Sequence, residues 1–470
     1  MFFCYNVKGA WAYAKIQPYF CINNVVKSDW SICRNYILKF SHFTNRVINL
    51  TLLVQIIVFI YTIYVNGSET AKKNNDSVDL HYKQTYEGGD KQGNPDLVRV
   101  LVDNAWDGVQ WLKDLGLQFK DGTFTVLGGL WPRAQKPVEP VGTGFFKTYQ
   151  EYMDKHDKIE VMYNTEAKRL IVENGIVTGV ECEGKTGNKV TVKAKNGVVL
   201  ATGGFAGNVE MHQKYNTQWK DLGPNLKTTN SPAIVGDGIK MAEETGANLV
   251  QMGNIQLLPL GDPETGSLSG DIEIDVERRI FVNKNGDRFV NEGGRRDEMT
   301  HALFEQSDYT LYIIMDSDCY PTGDEKNNFN ESVNGLIAEG RAFKGETLEE
   351  LAEKINVPAE NLVKAVEGFN SHVDDNSKDE FGRTLYSTKI DDGPFYAASR
   401  APTVHHTMGG VEINTEAQVI NTDGEIIPGL YAAGEVTGGI HGSNRLGGNA
   451  LTDTVVFGRI AGKNASEFTK

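Results

Sequence analysis

Near the end of the chain, between Ala401 and Gly462, stand a histidine pair (His405 and His406 in APTVHHTMGG), a glutamate at the end of an apolar run (Glu435 in LYAAGE) and an arginine inside a glycine-rich loop (Arg445 in GSNRLGGNAL). Glycines at 434, 438, 439, 442, 447 and 448 surround that arginine, and glycine lets backbone come close to a ligand. The loop runs into a helix expected to start near Asn449, and a helix N-terminus suits an anion or a polarised carbonyl. The plain alternative is a structural loop, which rarely combines so dense a glycine cluster with an arginine and a histidine.

Two apolar runs position these residues. Ile426 to Gly434 (IIPGLYAAG) follows a Pro-Gly turn and reads as a buried strand whose end faces a ligand. Gly197 to Ala201 (GVVLA) is continuously apolar, as in a strand covered on both faces, and leads into TGGFAGN, where Thr202, Gly203 and Gly204 let backbone meet a dinucleotide. Before it, residues 159–196 alternate in short runs broken by Asn-Gly and Thr-Gly, the pattern of an antiparallel meander. Helices are expected over Ser77–Gln84, over Asn94–Leu115 with Gly116 as stop, and over Val141–Asp154.

The 470 residues carry a net charge of -15, which argues against nucleic-acid binding, since phosphate contacts need clustered Lys and Arg. Five scattered cysteines form no CxxC or CxxCH, so no disulfide framework, zinc site or attached haem is expected. Fifty glycines spread through many turns fit a nucleotide-binding α/β architecture.

The stretch before Ser68 is different. It holds Lys8, Lys15, Lys27, Arg34, Lys39 and Arg46 against the single acid Asp29, and no charge falls between Val47 and Ser68. Residues 48–65 are close to bilayer-spanning length with positive charge before them, a candidate membrane helix or tether. Against a membrane reading stand Gln55 and the β-branched, aromatic content.

From about residue 69 to the end, the chain resembles the flavoprotein fumarate reductases of the soluble flavocytochrome c type and their relatives among FAD-dependent reductases. The resemblance lies in ATGGFAGN at 201, NSPAIVGDGIKMAEETGA at 230, FVNKNGDRFVNEGGRRD at 281, APTVHHTMGG at 401 and GLYAAGEVTGGIHGSNRLGGNAL at 429. It implies an α/β fold of two domains, a Rossmann-like FAD domain from residues 69–253 and 405–470 and an α+β capping domain from 254–404, with residues 1–68 atypical. It implies reduction of a carbon–carbon double bond conjugated to a carboxylate by hydride from FAD. By matching motif, Arg296 of NEGGRRD is the proton donor, and His406 and Arg445 hold and polarise the substrate carboxylate. Ala201, Thr202, Gly203, Gly204, Asp237, Glu435, Asn444, Gly447, Gly448, Asn449 and Ala450 are the corresponding flavin-binding positions.

Chemistry supports much of this. A planar guanidinium offers a carboxylate two donors, and a histidine beside it adds a further hydrogen bond. Arg296 as acid is harder to derive, because an isolated guanidinium keeps its proton, and chemistry alone would choose His406. The simpler readings are that Arg296 neutralises Asp297 or Glu292 at the surface, and that His405 and His406 are packed strand residues.

Two departures stand out. Where the family places His-Pro-Thr after Ile-Gln, Ile255-Gln256 is followed by Leu257, Leu258, Pro259 and Leu260. Leu258 therefore cannot hold a second carboxylate, and this apolar wall with one of the nearby acids Asp271, Glu273 and Asp275 would suit a monocarboxylate with an aromatic or cationic end, as in urocanate- or cinnamate-type substrates; the plain alternative for the three acids is a solvated strand edge. The family's opening strand and GxGxxG, the first βαβ unit, has no counterpart, so little retained flavin is expected unless that segment is restored. The alternatives to reduction are the reverse dehydrogenation and a flavin-less, inactive homologue. The electron donor is unidentified, with no haem motif and no evident nicotinamide site.

Overall fold

The computed structural model describes residues 63–220 and 222–469, together with the backbone of strands Phe2–Val7, Ala10–Trp11 and Tyr36–Phe40. Its first sheet runs, edge to edge, through strands Gln418–Ile420, Ile426–Ala432, Val198–Leu200, Phe2–Val7, Tyr36–Phe40 and Ile159–Val161. The middle three are parallel, with Val199 opposite both Tyr431 and Phe3. Every side chain of Val198–Leu200 is buried, as expected for a strand covered on both faces. The meander Thr165–Glu173, Ile176–Gly184 and Lys189–Lys193 forms a separate antiparallel sheet.

Local signals place the helices. Asn94 caps Pro95–Asp114 through the Asp96 amide, and Gly116 ends that segment at φ 108°. Ser77 caps Val78–Gly88 in the same way through Leu80. The C-terminal helix Asn449–Glu467 packs on Pro95–Asp114 so closely that a Cβ at Gly108 would lie 2.8 Å from Val455. That helix is buried along its first ten residues, Asn449 to Gly458.

The second sheet is organised by one long strand, Phe395–Thr407. Its first half pairs with Leu311–Met315 and Phe343–Gly345, and its second half with Ile255–Gly261. Two apolar clusters pack around this sheet, one containing Leu258, Ile272, Phe281, Met299 and Ile313, the other Ile280, Ile314, Leu351 and Phe369. Helices Leu348–Ile355 and Ala359–Asp375 close the second cluster.

The candidate membrane helix over residues 48–65 is corrected at its end. Ile63–Tyr64 is a strand paired with Ala134–Gln135, and Ile63, Tyr64 and Val65 are buried in the protein. Hydrophobicity there reflects core packing. Residues 48–62 lie outside the described residues, among which no helix is long and apolar enough to cross a membrane.

Candidate active site

Arg296 is the first residue of helix Arg296–Phe304, whose opening turn carries Asp297 and Glu298, a placement the helix dipole favours. Its side chain turns inward, with Nε donating to the Leu127 carbonyl (3.1 Å) and Nη1 to Gln256 Oε1 (3.1 Å). Gly128, at φ 64°, makes this approach feasible, since a Cβ there would lie 2.9 Å from Arg296 Cγ. Arg296 is buried rather than at the surface. Arg295 pairs with Asp297, and Arg288 and Arg383 pair with Glu292.

Gln256 is the hinge of the arrangement. While its Oε1 receives Arg296, its Nε2 donates to Asn444 Oδ1 and to the Arg445 carbonyl, each at 2.8 Å. It lies opposite His406 in the sheet, and the register shifts at the next step, so that Leu257 faces Val404. His405 is the extra residue of this bulge. Bulges re-aim side chains, and both histidines lie in the field of Arg445, although adjacent strand residues normally face apart.

His406 Nδ1 sits 3.0 Å from Glu435 Oε2, while Glu435 Oε1 accepts from the Thr407 amide (3.0 Å) and hydroxyl (3.1 Å). Burial pushes His406 down to about 4 against the opposing pull of Glu435, and the Arg445 charge adds to the depression. The Glu435 carboxyl is held below its ordinary range by His406 and the Thr407 donors, which outweigh its burial. In the neutral range His406 is therefore uncharged with its proton on Nδ1, leaving Nε2 as an acceptor. Half-buried His405 accepts at or donates from Nδ1 to Thr229 Oγ1 (2.9 Å), and enclosure with Arg296 and Arg445 nearby disfavours its charged form.

Arg445 is buried, and its proton affinity is pulled well below the ordinary guanidinium range by burial and by the Arg296 charge. Its Nε is buried with no hydrogen-bond partner among the described residues, and its Nη1 makes one long bond (3.3 Å) to the Leu446 carbonyl. Two enclosed guanidiniums, one with an unmatched donor, are suited to a bound anion.

Of the flavin candidates, Ala201–Gly204 and Glu435 follow the ends of two paired parallel strands, where α/β sheets bind ligands. The Gly236 amide donates to the Gly204 carbonyl (3.0 Å), bringing Asp237, at the start of helix Asp237–Glu243, against the Ala201–Gly204 turn. A Cβ at Gly204 would lie 2.0 Å from Thr407 Oγ1 and 2.6 Å from Glu435 Oε1. Thr202 Oγ1 is buried without a partner, and the helix starting at Asn449 has no side-chain cap. The Thr202 hydroxyl lies against helix Asp237–Glu243, where a Cβ at Gly238 would come within 1.9 Å of it; an orphaned hydroxyl there and an uncapped helix start at Asn449 each fit an oxygen-rich cofactor such as FAD. Thr202, Glu435 and the Gly447–Ala450 turn would hold it. The Asn444 and Asn449 side-chain amides are engaged within the protein, Asn444 with Gln256 and Gly88, Asn449 with His81 (2.8 Å) and Thr85 (3.0 Å).

Of the residues expected to meet the substrate, Leu258 is buried in one apolar cluster with Leu127, Leu260 and Ile272. Glu273 is bound to Arg279 at 2.5 Å. Asp271 accepts from the Glu273 amide (2.8 Å), and burial followed by the Glu273 charge pushes its carboxyl up to about 7. Asp275 pairs with Arg278 at 3.1 Å.

Sequence reasoning missed Gln256, Tyr64 and the His441–Asp453 pair (3.1 Å). Tyr64 is fully buried, donates to the Gly129 carbonyl and rests on the uncapped helix start, where a Cβ at Gly448 would meet its ring at 2.4 Å. His441 meets His406 edge to face, with ring centroids 5.6 Å apart. A glutamine after an isoleucine carries no sequence signal, whereas His441 lay within the glycine loop already singled out.

Residues 62–451 match the FAD binding domain family. The chain is 43% identical over 401 residues to an NADH:acrylate oxidoreductase of Vibrio harveyi, covering 83% of this chain and 40% of that protein. It is 37% identical over 401 residues to a urocanate reductase of Eggerthella lenta, covering 83% of this chain and 64% of that one. Among solved structures it is similar to the open conformation of a flavocytochrome c3 fumarate reductase, with a TM-score of 0.66 and 34% identity over 88% of this chain and 71% of that one. The chain thus spans 40% and 64% of the two curated relatives' lengths. With its parallel sheet, its glycine turns and a match extending over most of its length, the chain belongs to the FAD-binding family that includes the fumarate reductases.

Proposed function

We propose that the protein reduces the carbon–carbon double bond of an α,β-unsaturated acid with one carboxylate, the acrylate-like class, with FAD as cofactor. One observation carries this reading. Two buried guanidiniums, Arg296 and Arg445, are joined through Gln256, and Leu127, on whose carbonyl Arg296 rests, belongs to an apolar cluster with Leu258 and Leu260. A second carboxylate placed against those leucines would lose water without gaining a donor, at a cost of about 1–3 kcal/mol. Glu273 is taken by Arg279, and burial with the Glu273 charge favours the uncharged form of Asp271, which supports a small apolar far end over a cationic one. The 43% identity to an acrylate oxidoreductase supports the same class.

The roles follow from placement. Arg445, with its unmatched Nε, binds the carboxylate and draws electron density from the double bond. His406, neutral in the free site, takes up a proton as the carboxylate arrives and then donates to it. Arg296 gives its proton to the carbon next to the carboxylate, in an enclosure where the Arg445 charge opposes a second positive charge. FAD, when bound, would supply hydride chemistry for the far carbon. The test is to load the protein with FAD, reduce it chemically without oxygen, add acrylate or crotonate, and follow return of the oxidised flavin's visible absorbance together with the saturated acid. Reoxidation with stoichiometric propionate or butyrate is expected; flavin that stays reduced with every monocarboxylic enoate would overturn the proposal.

A further inference from the structure

We infer that Asp90 and Arg295 form a clasp at the rim of the site, fastening the body built on the second sheet to the glycine-loop floor and so seating Arg296 opposite Arg445. Arg295 donates in bidentate fashion to Asp90, Nη1 to Oδ1 at 2.6 Å and Nη2 to Oδ2 at 2.9 Å. The same Asp90 carboxylate accepts from the Ser443 hydroxyl, two residues before Arg445. One carboxylate thus touches the chain neighbour of Arg296 on one side and the loop of Arg445 on the other.

Asp90 itself is fixed to the floor. The Asn94 amide donates to the Gly439 carbonyl (2.6 Å), the Ser443 amide to the Gly89 carbonyl (3.1 Å) and Gln251 Nε2 to the Gln92 carbonyl (2.5 Å). The 89–94 and 439–443 turns interlock so closely that a Cβ at Gly89 would lie 2.3 Å from the His441 carbonyl oxygen. Arg295, by contrast, belongs to the other body as the residue preceding helix Arg296–Phe304. Its side chain reaches outward to Asp90 while that of Arg296 reaches inward to Leu127 and Gln256.

Such a contact can open and close. Arg296, His406 and Arg445 are each at most 5% exposed, so a substrate must enter by separation of the two bodies. The clasp side chains remain accessible, 46% for Asp90 and 19% for Arg295, which keeps the pair strong enough to orient and weak enough to release. It is a positioning pair for the reaction proposed above, and in that respect rests on that reading.

The test compares Asp90→Asn, Arg295→Gln, Arg295→Lys and Ser443→Ala in the FAD-loaded full chain. Amide hydrogen exchange of the peptide covering residues 293–299 reads the clasp without requiring turnover, and kcat and KM for acrylate read its use. Asp90→Asn and Arg295→Gln should each speed exchange about two- to fivefold and lower kcat by a similar factor, with Arg295→Lys, which keeps the charge toward both Asp90 and Asp297, losing less of both. Ser443→Ala, which keeps the ion pair, should change exchange by less. If Arg295→Gln exchanges like the parent while Asp90→Asn and Ser443→Ala both differ, Asp90 merely braces the floor and the clasp is wrong. If exchange responds as expected but no variant, nor the parent, reduces acrylate, the proposed substrate class fails and the clasp stands.

Discussion

At the residue scale, two arginines do different work because their surroundings differ. Arg445 keeps an unmatched buried donor for a ligand, while Arg296 is oriented by Leu127 and Gln256. Arg296→Lys should lower kcat by about 10²–10³-fold or more with the flavin spectrum intact, since an ammonium cannot reproduce the planar, two-point orientation. Stopped assays on FAD-loaded protein check this. His406 gives a pH prediction. In the free site it is depressed to about 4, and a bound carboxylate favours its charged form, so substrate binding takes up a proton. Acrylate affinity should therefore weaken as pH rises through the neutral range, measurable by calorimetry in buffers of different ionisation enthalpy. His406 and Arg445 stand out in the sequence because a histidine pair and a glycine loop mark them, whereas Arg296 comes only from the resemblance of NEGGRRD to the family motif. Gln256 does not stand out, because its importance comes from contacts with Arg296 and Arg445, 40 and 189 residues away. Tyr64 was misread for another reason: an apolar strand buried in a protein and an apolar segment in lipid have the same composition.

At the element scale, strand Phe395–Thr407 has two tasks, core for the second sheet along its first half and site along its last residues. The bulge opposite Gln256 and Leu257 leaves His405 as the extra residue beside His406, and this depends on a pairing partner some 150 residues earlier, which no local pattern announces. The helices were more legible, since Ser77, Asn94 and Gly116 are short-range signals with a direct backbone cause. In the proposed reading the partner strand also carries the residue that sets specificity, Leu258. Leu258→His should raise the efficiency for fumarate relative to acrylate about tenfold, because an imidazole there can donate to a second carboxylate, while costing about 1–3 kcal/mol of stability from a buried polar group. Parallel kinetics and thermal denaturation of the single variant read both effects.

At the scale of the whole molecule, the interior holds neutral histidines that link folding to pH. His81, between Asn66 and Asn449, is pushed down to about 3 by burial, and His406 to about 4. Between pH 6.5 and these values the unfolded chain binds protons that the folded one does not, so stability falls as pH drops through that window. Asp271, pushed up to about 7, acts with the opposite sign, favouring the fold where it is protonated. Denaturant midpoints from pH 7 to pH 4 should decline, and His81→Gln should flatten the decline. The central claim, however, concerns which acid the two guanidiniums and the leucine wall accept. The direct measurement is the ratio of kcat/KM for acrylate to that for fumarate, from one competition assay on the FAD-loaded, chemically reduced protein. A ratio above about 10, corresponding to the ~1.4 kcal/mol expected from an unmatched second carboxylate, is the predicted result. A ratio below one would contradict the account and place donors for a second carboxylate where Leu258 and Leu260 stand.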